Sequence, residues 1–134
     1  MKLSTKGRYA TRAMLDLAMH SDSTPIQVKD ISERIGVSDR YLEQLLGPLR
    51  IAGLVKATRG ARGGFALSRP ASEIRLSQVI QAMEGSMAPV ECVDDADLCS
   101  RSDTCVAREV WSEIKEAVDS ILGSTTLADL AARQ

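Results

Sequence analysis

A mainly α-helical chain with one small β-hairpin is what three observations predict. Apolar residues recur at helical spacing in five segments of the 134 residues. A single pair of short alternating runs, 54–58 and 65–67, flanks a glycine-rich turn. A short helix ending at Gly36 is followed at once by a helix that Ser38 can cap. Together they predict a winged helix-turn-helix followed by a long C-terminal dimerisation helix. The expected division is a DNA-binding unit at 1–84, a cysteine-rich cluster-binding loop at 85–105, and a dimerisation helix with C-terminal segment at 106–134.

The first helix is read over 5–20, with Tyr9, Ala10, Ala13, Met14, Leu17, Ala18 and His20 on one broad face. The run Ser21-Asp22-Ser23-Thr24-Pro25 breaks that pattern and reads as a loop. Val28, Ile31 and Ile35 line a second, short helix, which Gly36 closes in a left-handed C-terminal position. The third helix presents Leu42, Leu45, Leu46 and Leu49 to the core. Its other face carries Asp39, Arg40, Glu43, Gln44 and Gly47. Pro48 removes a backbone donor, so it is expected to kink the helix or end its regular part. A hairpin follows, with Arg59-Gly60-Ala61-Arg62-Gly63-Gly64 at its tip. Residues 74–84 regain helical spacing through Ile74, Val79, Ile80 and Met83. The strongest helical pattern spans 106–122, and a short amphipathic end follows Thr125-Thr126.

Hydrophobic residues at 44% and charged residues at 26% are ordinary for a globular chain of this size. No apolar run approaches the ~18–20 residues of a membrane span. The N-terminal residues lack the apolar stretch of a secretory signal. With unpaired cysteines, which persist in reducing compartments, this points to the cytoplasm. The net charge of −1 hides a polarised chain. Residues 1–70 hold twelve Lys/Arg against six Asp/Glu, and residues 71–134 hold five against twelve. A basic first half suits a polyanion and an acidic second half would stay clear of it.

In a helix-turn-helix the first residues of the second helix meet base edges in the major groove. That places Ser38, Asp39, Arg40, Tyr41 and Glu43 at the readout surface. Arg40 can donate two hydrogen bonds to guanine. Ser38 can bond a base or phosphate, and its simplest role is to cap the helix. Glu43 is the odd member, because a carboxylate repels phosphates unless it accepts from a cytosine amino group. Arg59 and Arg62 at the glycine-rich tip suit a minor groove, although tight hairpins use glycine regardless. Lys2, Lys6, Arg8 and Arg12 form a second basic cluster suited to phosphates. Aromatic residues, at 3%, are too few to stack single strands, so the expected partner is double-stranded DNA. The apolar stripe of 106–122 exceeds what a terminal helix on a small domain can hide. It reads as the seam of a homodimer, which would offer two recognition helices to a palindromic operator.

Cys92, Cys99 and Cys105 fall within fourteen consecutive residues among acidic and polar neighbours. Three thiolates on such a loop can hold a metal ion or an iron–sulfur cluster, which needs about four ligands. The odd count argues against a closed disulfide framework. A thiol redox switch is the alternative reading. No nucleophile–base pairing or phosphate loop emerges, so an enzyme is not expected.

Several stretches together resemble the IscR-type iron–sulfur cluster regulators within the Rrf-type transcription factors. They are Met1 to Ala10, Asp30-Ile31-Ser32-Glu33-Arg34, Tyr41-Leu42-Glu43-Gln44-Leu45, Ala52-Gly53-Leu54-Val55, Arg59-Gly60 with Gly63-Gly64, and the three cysteines. The resemblance implies a homodimeric repressor or activator whose DNA choice depends on a [2Fe-2S] cluster held by Cys92, Cys99 and Cys105. It places Ser38, Arg40, Glu43 and Arg59 at DNA-contacting positions, with Glu43 discriminating between classes of site. It implies cluster-assembly genes as targets. The best-known member has a histidine as fourth ligand where this chain has Arg108, a permanently charged group that is a very poor ligand. Glu109, Asp103, another carboxylate, or a solvent or thiol ligand are the candidates in its place. Relatives that sense nitric oxide with a [4Fe-4S] cluster use an aspartate where this chain has Arg8. A thiol- or nitric-oxide-sensing regulator of the same fold is the nearest alternative. An iron–sulfur electron carrier or a zinc-stabilised interaction module is the alternative of another class.

Overall fold

The computed structural model describes residues 2–20 and 24–134, so Met1 and residues 21–23 of the expected loop lie outside the described residues. The elements run α1 (Thr5–His20), α2 (Val28–Ile35), α3 (Asp39–Ile51), β1 (Val55–Thr58), β2 (Gly64–Leu67), α4 (Leu76–Glu84), α5 (Val106–Ser124) and α6 (Leu127–Ala131). The fold is a winged helix-turn-helix.

Helix α1 is the hub. It packs against α2, α3, α4 and α6, and buries Ala10, Ala13, Met14 and Leu17 completely. The four leucines of α3 are all fully buried, so that single stripe welds the recognition helix to the core. Each such side chain contributes roughly 1.5–3 kcal/mol when removed from water. Gly36 adopts φ 76° and its amide donates to the Ser32 carbonyl, giving the sharp α2–α3 turn.

The hairpin is antiparallel, from Val55 opposite Leu67 to Thr58 opposite Gly64. A third segment joins it. Ile26 and Phe65 exchange backbone hydrogen bonds at 2.8 Å in both directions, fastening the wing to the residues before α2. Gly64 is required there. It holds φ 150°, and a Cβ would run into the Ile26 carbonyl.

Two sequence expectations change, for His20 and for the start of α4, and one of the two outcomes left open at Pro48 is excluded. His20 is exposed rather than part of the apolar face; its Nδ1 lies 3.0 Å from the Asp16 carbonyl oxygen, as a last-turn imidazole on solvent-facing backbone can. Asp16, one turn earlier, is buried instead, because Arg34 grips it from α2. The helix does not stop at Pro48, and α3 runs on to Ile51, since the leucine stripe outweighs one lost backbone bond. Residues 74 and 75 are extended and α4 begins at Leu76. Ile74 and Leu76 are claimed by the far end of the chain: the Leu76 amide donates to Thr125 (2.8 Å) and the Leu127 amide to Ile74 (3.0 Å).

That last pairing positions the C-terminal segment. Leu127 is fully buried in the same core as α1 and α3. Helix α5 is different: it packs on α4 yet has no buried residue, and Val106 and Ile121 are 73% and 65% exposed. No helix among the described residues is long and apolar enough to cross a membrane.

Candidate DNA interface and cysteine loop

Ser38 opens α3 in extended backbone, and its Oγ accepts the Tyr41 amide at 3.1 Å. The cap fixes where the first exposed turn begins. Arg40, Glu43 and Gln44 stand on the outer face, opposite the buried leucines. Two other expected readout residues also make contacts within the fold, and of these Asp39 stays exposed. The Asp39 carboxylate accepts a hydrogen bond from Ser32 Oγ, and the Ser32 hydroxyl is itself buried between α2 and α3. Tyr41 is half-buried, with its ring edge-on to Tyr9 at 6.0 Å, while Arg12 lies over the Tyr9 ring at 4.9 Å. Asp39 and Tyr41 therefore orient α3 against α2 and α1.

The wing carries Arg59 and Arg62 outward, both exposed. Its tip is braced by Gln27, whose Nε2 donates to the Ala61 carbonyl at 3.1 Å. Gly63 has its place for the same reason as Gly64, since a Cβ would strike the Thr58 carbonyl. Lys2, Lys6 and Arg8 are exposed around the start of α1.

Beneath this surface, Arg34 Nε and Nη2 donate to the two oxygens of Asp16 at 2.8 and 2.9 Å. That bidentate hydrogen bond raises the Arg34 pKa further above its ordinary value. Composition could not announce Asp16, Ser32 or Gln27. The only available signals were a carboxylate inside an apolar stripe at 16 and a polar residue at the inward position 32.

The cysteines lie on the segment between α4 and α5, which has only short 3-10 turns at Glu91–Val93 and Ala96–Leu98. All three are free; Cys92 and Cys105 are half-buried and Cys99 is exposed. Arg108, in the first turn of α5, donates from Nε to the Cys92 carbonyl at 2.9 Å. It thereby ties the first cysteine to the helix whose N-cap position Cys105 occupies. Asp103 and Glu109 line the same open cleft as Cys105 and Arg108. His20 sits in another cleft, beside Asp16 and Arg34, with no cysteine in it. In kind, the donors fit an iron–sulfur cluster: three unpaired, accessible thiols with carboxylates beside the last. In placement, no three His, Cys, Asp or Glu side chains among the described residues converge closely enough to hold a metal ion.

A helix-turn-helix with an arginine-bearing wing defines a DNA-binding transcriptional regulator. Residues 3–133 match the Rrf2 family, described as "Iron-dependent Transcriptional regulator". The chain belongs to the Rrf2 family. It is 44% identical over 130 residues to protein rrf2 of Nitratidesulfovibrio vulgaris, covering 97% of this chain and 87% of that protein. Among solved structures it is similar to CymR, the global cysteine regulator of B. subtilis, at 41% identity and TM-score 0.84, covering 100% and 98% of the two chains. It is also similar to T. potens IscR, at 41% identity and TM-score 0.82, covering 99% and 88%. Its relatives are transcriptional regulators, not enzymes.

Proposed function

We propose that this chain is a cytoplasmic homodimeric regulator whose reading of a palindromic operator is modulated at Cys92, Cys99 and Cys105, which would hold a [2Fe-2S] cluster. The observation that carries this is the confinement of all three free thiols to one irregular segment, joined at one end to α4 and at the other to the exposed α5. Ser38, Arg40 and Glu43 read bases, Arg59 and Arg62 enter the adjacent groove, and Lys2, Lys6 and Arg8 take phosphates. Asp39 and Tyr41 act one step back, by fixing the angle of α3. The apolar stripe of α5 supports the dimer. A bound cluster would supply a labile, redox-active input, with Asp103 and Glu109, which line the cleft beside Cys105, among the candidates to complete its ligands. Regulation of cluster-assembly genes, as repressor or activator, follows from the resemblance to IscR.

A second reading is favoured by one specific observation. The thiols are not gathered into a ligand set, and accessible separate thiols suit direct oxidation or nitrosation as well. The likeness to CymR keeps this reading in play.

Anaerobic purification followed by absorption and EPR spectroscopy decides between them. The cluster reading expects a coloured, iron-containing protein whose spectrum is lost in Cys99→Ala, with cluster-independent DNA binding retained. A colourless, iron-free protein that shifts DNA identically with and without its cysteines rules the cluster out.

A further inference from the structure

The first turn of α1 is capped from the far side of the domain. Ser4 stands at the cap position: its Oγ accepts the Gly7 amide at 3.1 Å and its carbonyl accepts the Arg8 amide at 3.1 Å. A local capping box would place Glu or Gln three residues on, reaching back to the Ser4 amide. That residue is Gly7, which has no side chain to reach with. Glu84, eighty residues away, takes the role. Its Oε1 accepts the Ser4 amide at 2.9 Å and the Ser4 hydroxyl as well. Gly7 makes the room, because a Cβ there would run into the Glu84 carboxylate.

Two placements give this contact meaning. Lys2, Lys6 and Arg8 are exposed around the capped turn, so its position sets theirs. Glu84 is also the last residue of α4, and the next residue, Gly85 at φ 73°, begins the cysteine segment. The carboxylate therefore sits at the junction between that segment and the basic turn.

We propose that Glu84 is a positioning residue for DNA binding: it seats the first turn of α1, with Lys2, Lys6 and Arg8, against the phosphates, and transmits to that turn changes in the segment 85–105. The transmission rests on the reading of the cysteines as a regulatory input. The positioning rests only on the reading of Lys2, Lys6 and Arg8 as phosphate contacts, which Lys2→Ala with Lys6→Ala tests by itself through the salt dependence of duplex binding.

The test measures affinity for a mixed-sequence duplex of about 30 base pairs against salt, because the slope counts neutralised phosphates at about 0.9 for each. No operator is needed. Glu84→Ala should flatten the slope by about one unit for each phosphate left without its cation. Glu84→Gln removes the same charge but keeps an oxygen acceptor for Ser4, and should restore the wild-type slope. Gly7→Ala should reproduce Glu84→Ala, since its Cβ displaces the carboxylate while alanine strengthens the helix. Equal slopes in Glu84→Ala and wild type overturn the proposal, and so does an equal change in slope by Ala and Gln in either direction, which marks an effect of the lost charge rather than of the lost acceptor.

The same titrations after alkylation with iodoacetamide test the transmission. A shift in wild type and Glu84→Gln that vanishes in Glu84→Ala supports it. An equal shift in wild type and Glu84→Ala overturns the relay while leaving the cysteine input standing. No shift in any variant removes that input, and the relay with it.

Discussion

Asp39 and Arg40 are adjacent in the first turn of α3, yet they do different work because the helix turns about 100° per residue. Arg40 faces out, while the Asp39 carboxylate is engaged by Ser32 Oγ from α2. A sequence pattern can say which residues lie in the first turn, and it named both. It cannot say which of two polar neighbours finds a partner on another helix, since Ser32 becomes buried only once α2 and α3 cross. We expect Ser32→Ala and Asp39→Ala each to cost about 1 kcal/mol in urea denaturation and the double variant little more than either, as for partners in one hydrogen bond. Arg59→Ala should leave folding alone and weaken specific duplex binding by roughly 1–3 kcal/mol, read by fluorescence anisotropy at fixed salt. An unchanged anisotropy titration would remove Arg59 from the interface.

At the scale of elements, legibility followed burial. Helix α3 could be read to within a residue or two because its four leucines repeat at one spacing and a serine caps it. The start of α4 could not, because Ile74 has an apolar side chain that suits a helix and a backbone that belongs to a two-strand contact with residues 125–127. Local periodicity carries no trace of a partner fifty residues away. Helix α5 was legible in extent and in excess of apolar surface. Its exposed Val110 and Ile121 lie on the proposed seam, where a buried aspartate carries a large desolvation cost. Val110→Asp with Ile121→Asp should therefore shift the protein from dimer to monomer in sedimentation velocity while keeping its helical circular dichroism. A dimer that persists would move the seam elsewhere.

At the scale of the whole molecule, the basic first half forms the helix-turn-helix and wing, and the acidic second half includes the segment that bears the cysteines. The sequence composition conveyed that much. It did not convey closure, the return of α6 to the core beside α1. That closure is held by a short capping box: Thr126 donates its amide to the Asp129 carboxylate at 2.9 Å, and its Oγ accepts the Asp129 amide at 3.0 Å. These bonds from Thr126, backbone first, hold the Asp129 carboxyl below the ordinary aspartate range. A lowered folded-state value means that the stabilisation is complete above the unfolded value, ~3.9, and fades as pH falls through the folded one. Amide protection at residues 127–131, taken relative to intrinsic exchange rates, should thus fall below about pH 4 before the rest of the core loosens. Asp129→Asn, which keeps an acceptor but does not titrate, should remove that step.

The pairing of residues 74–76 with 125–127 also has a consequence for synthesis. Arg75 donates from Nη1 to the Gly123 carbonyl at 2.7 Å, and Leu127 fills a place in the core that nothing earlier in the chain occupies. A ribosome that has made the recognition helix and the wing has not yet made a finished DNA reader. The core stays open until residue 127 has emerged, after every cysteine and the whole of α5. The last place in the core is thus filled only after the segment proposed to govern DNA binding has been made.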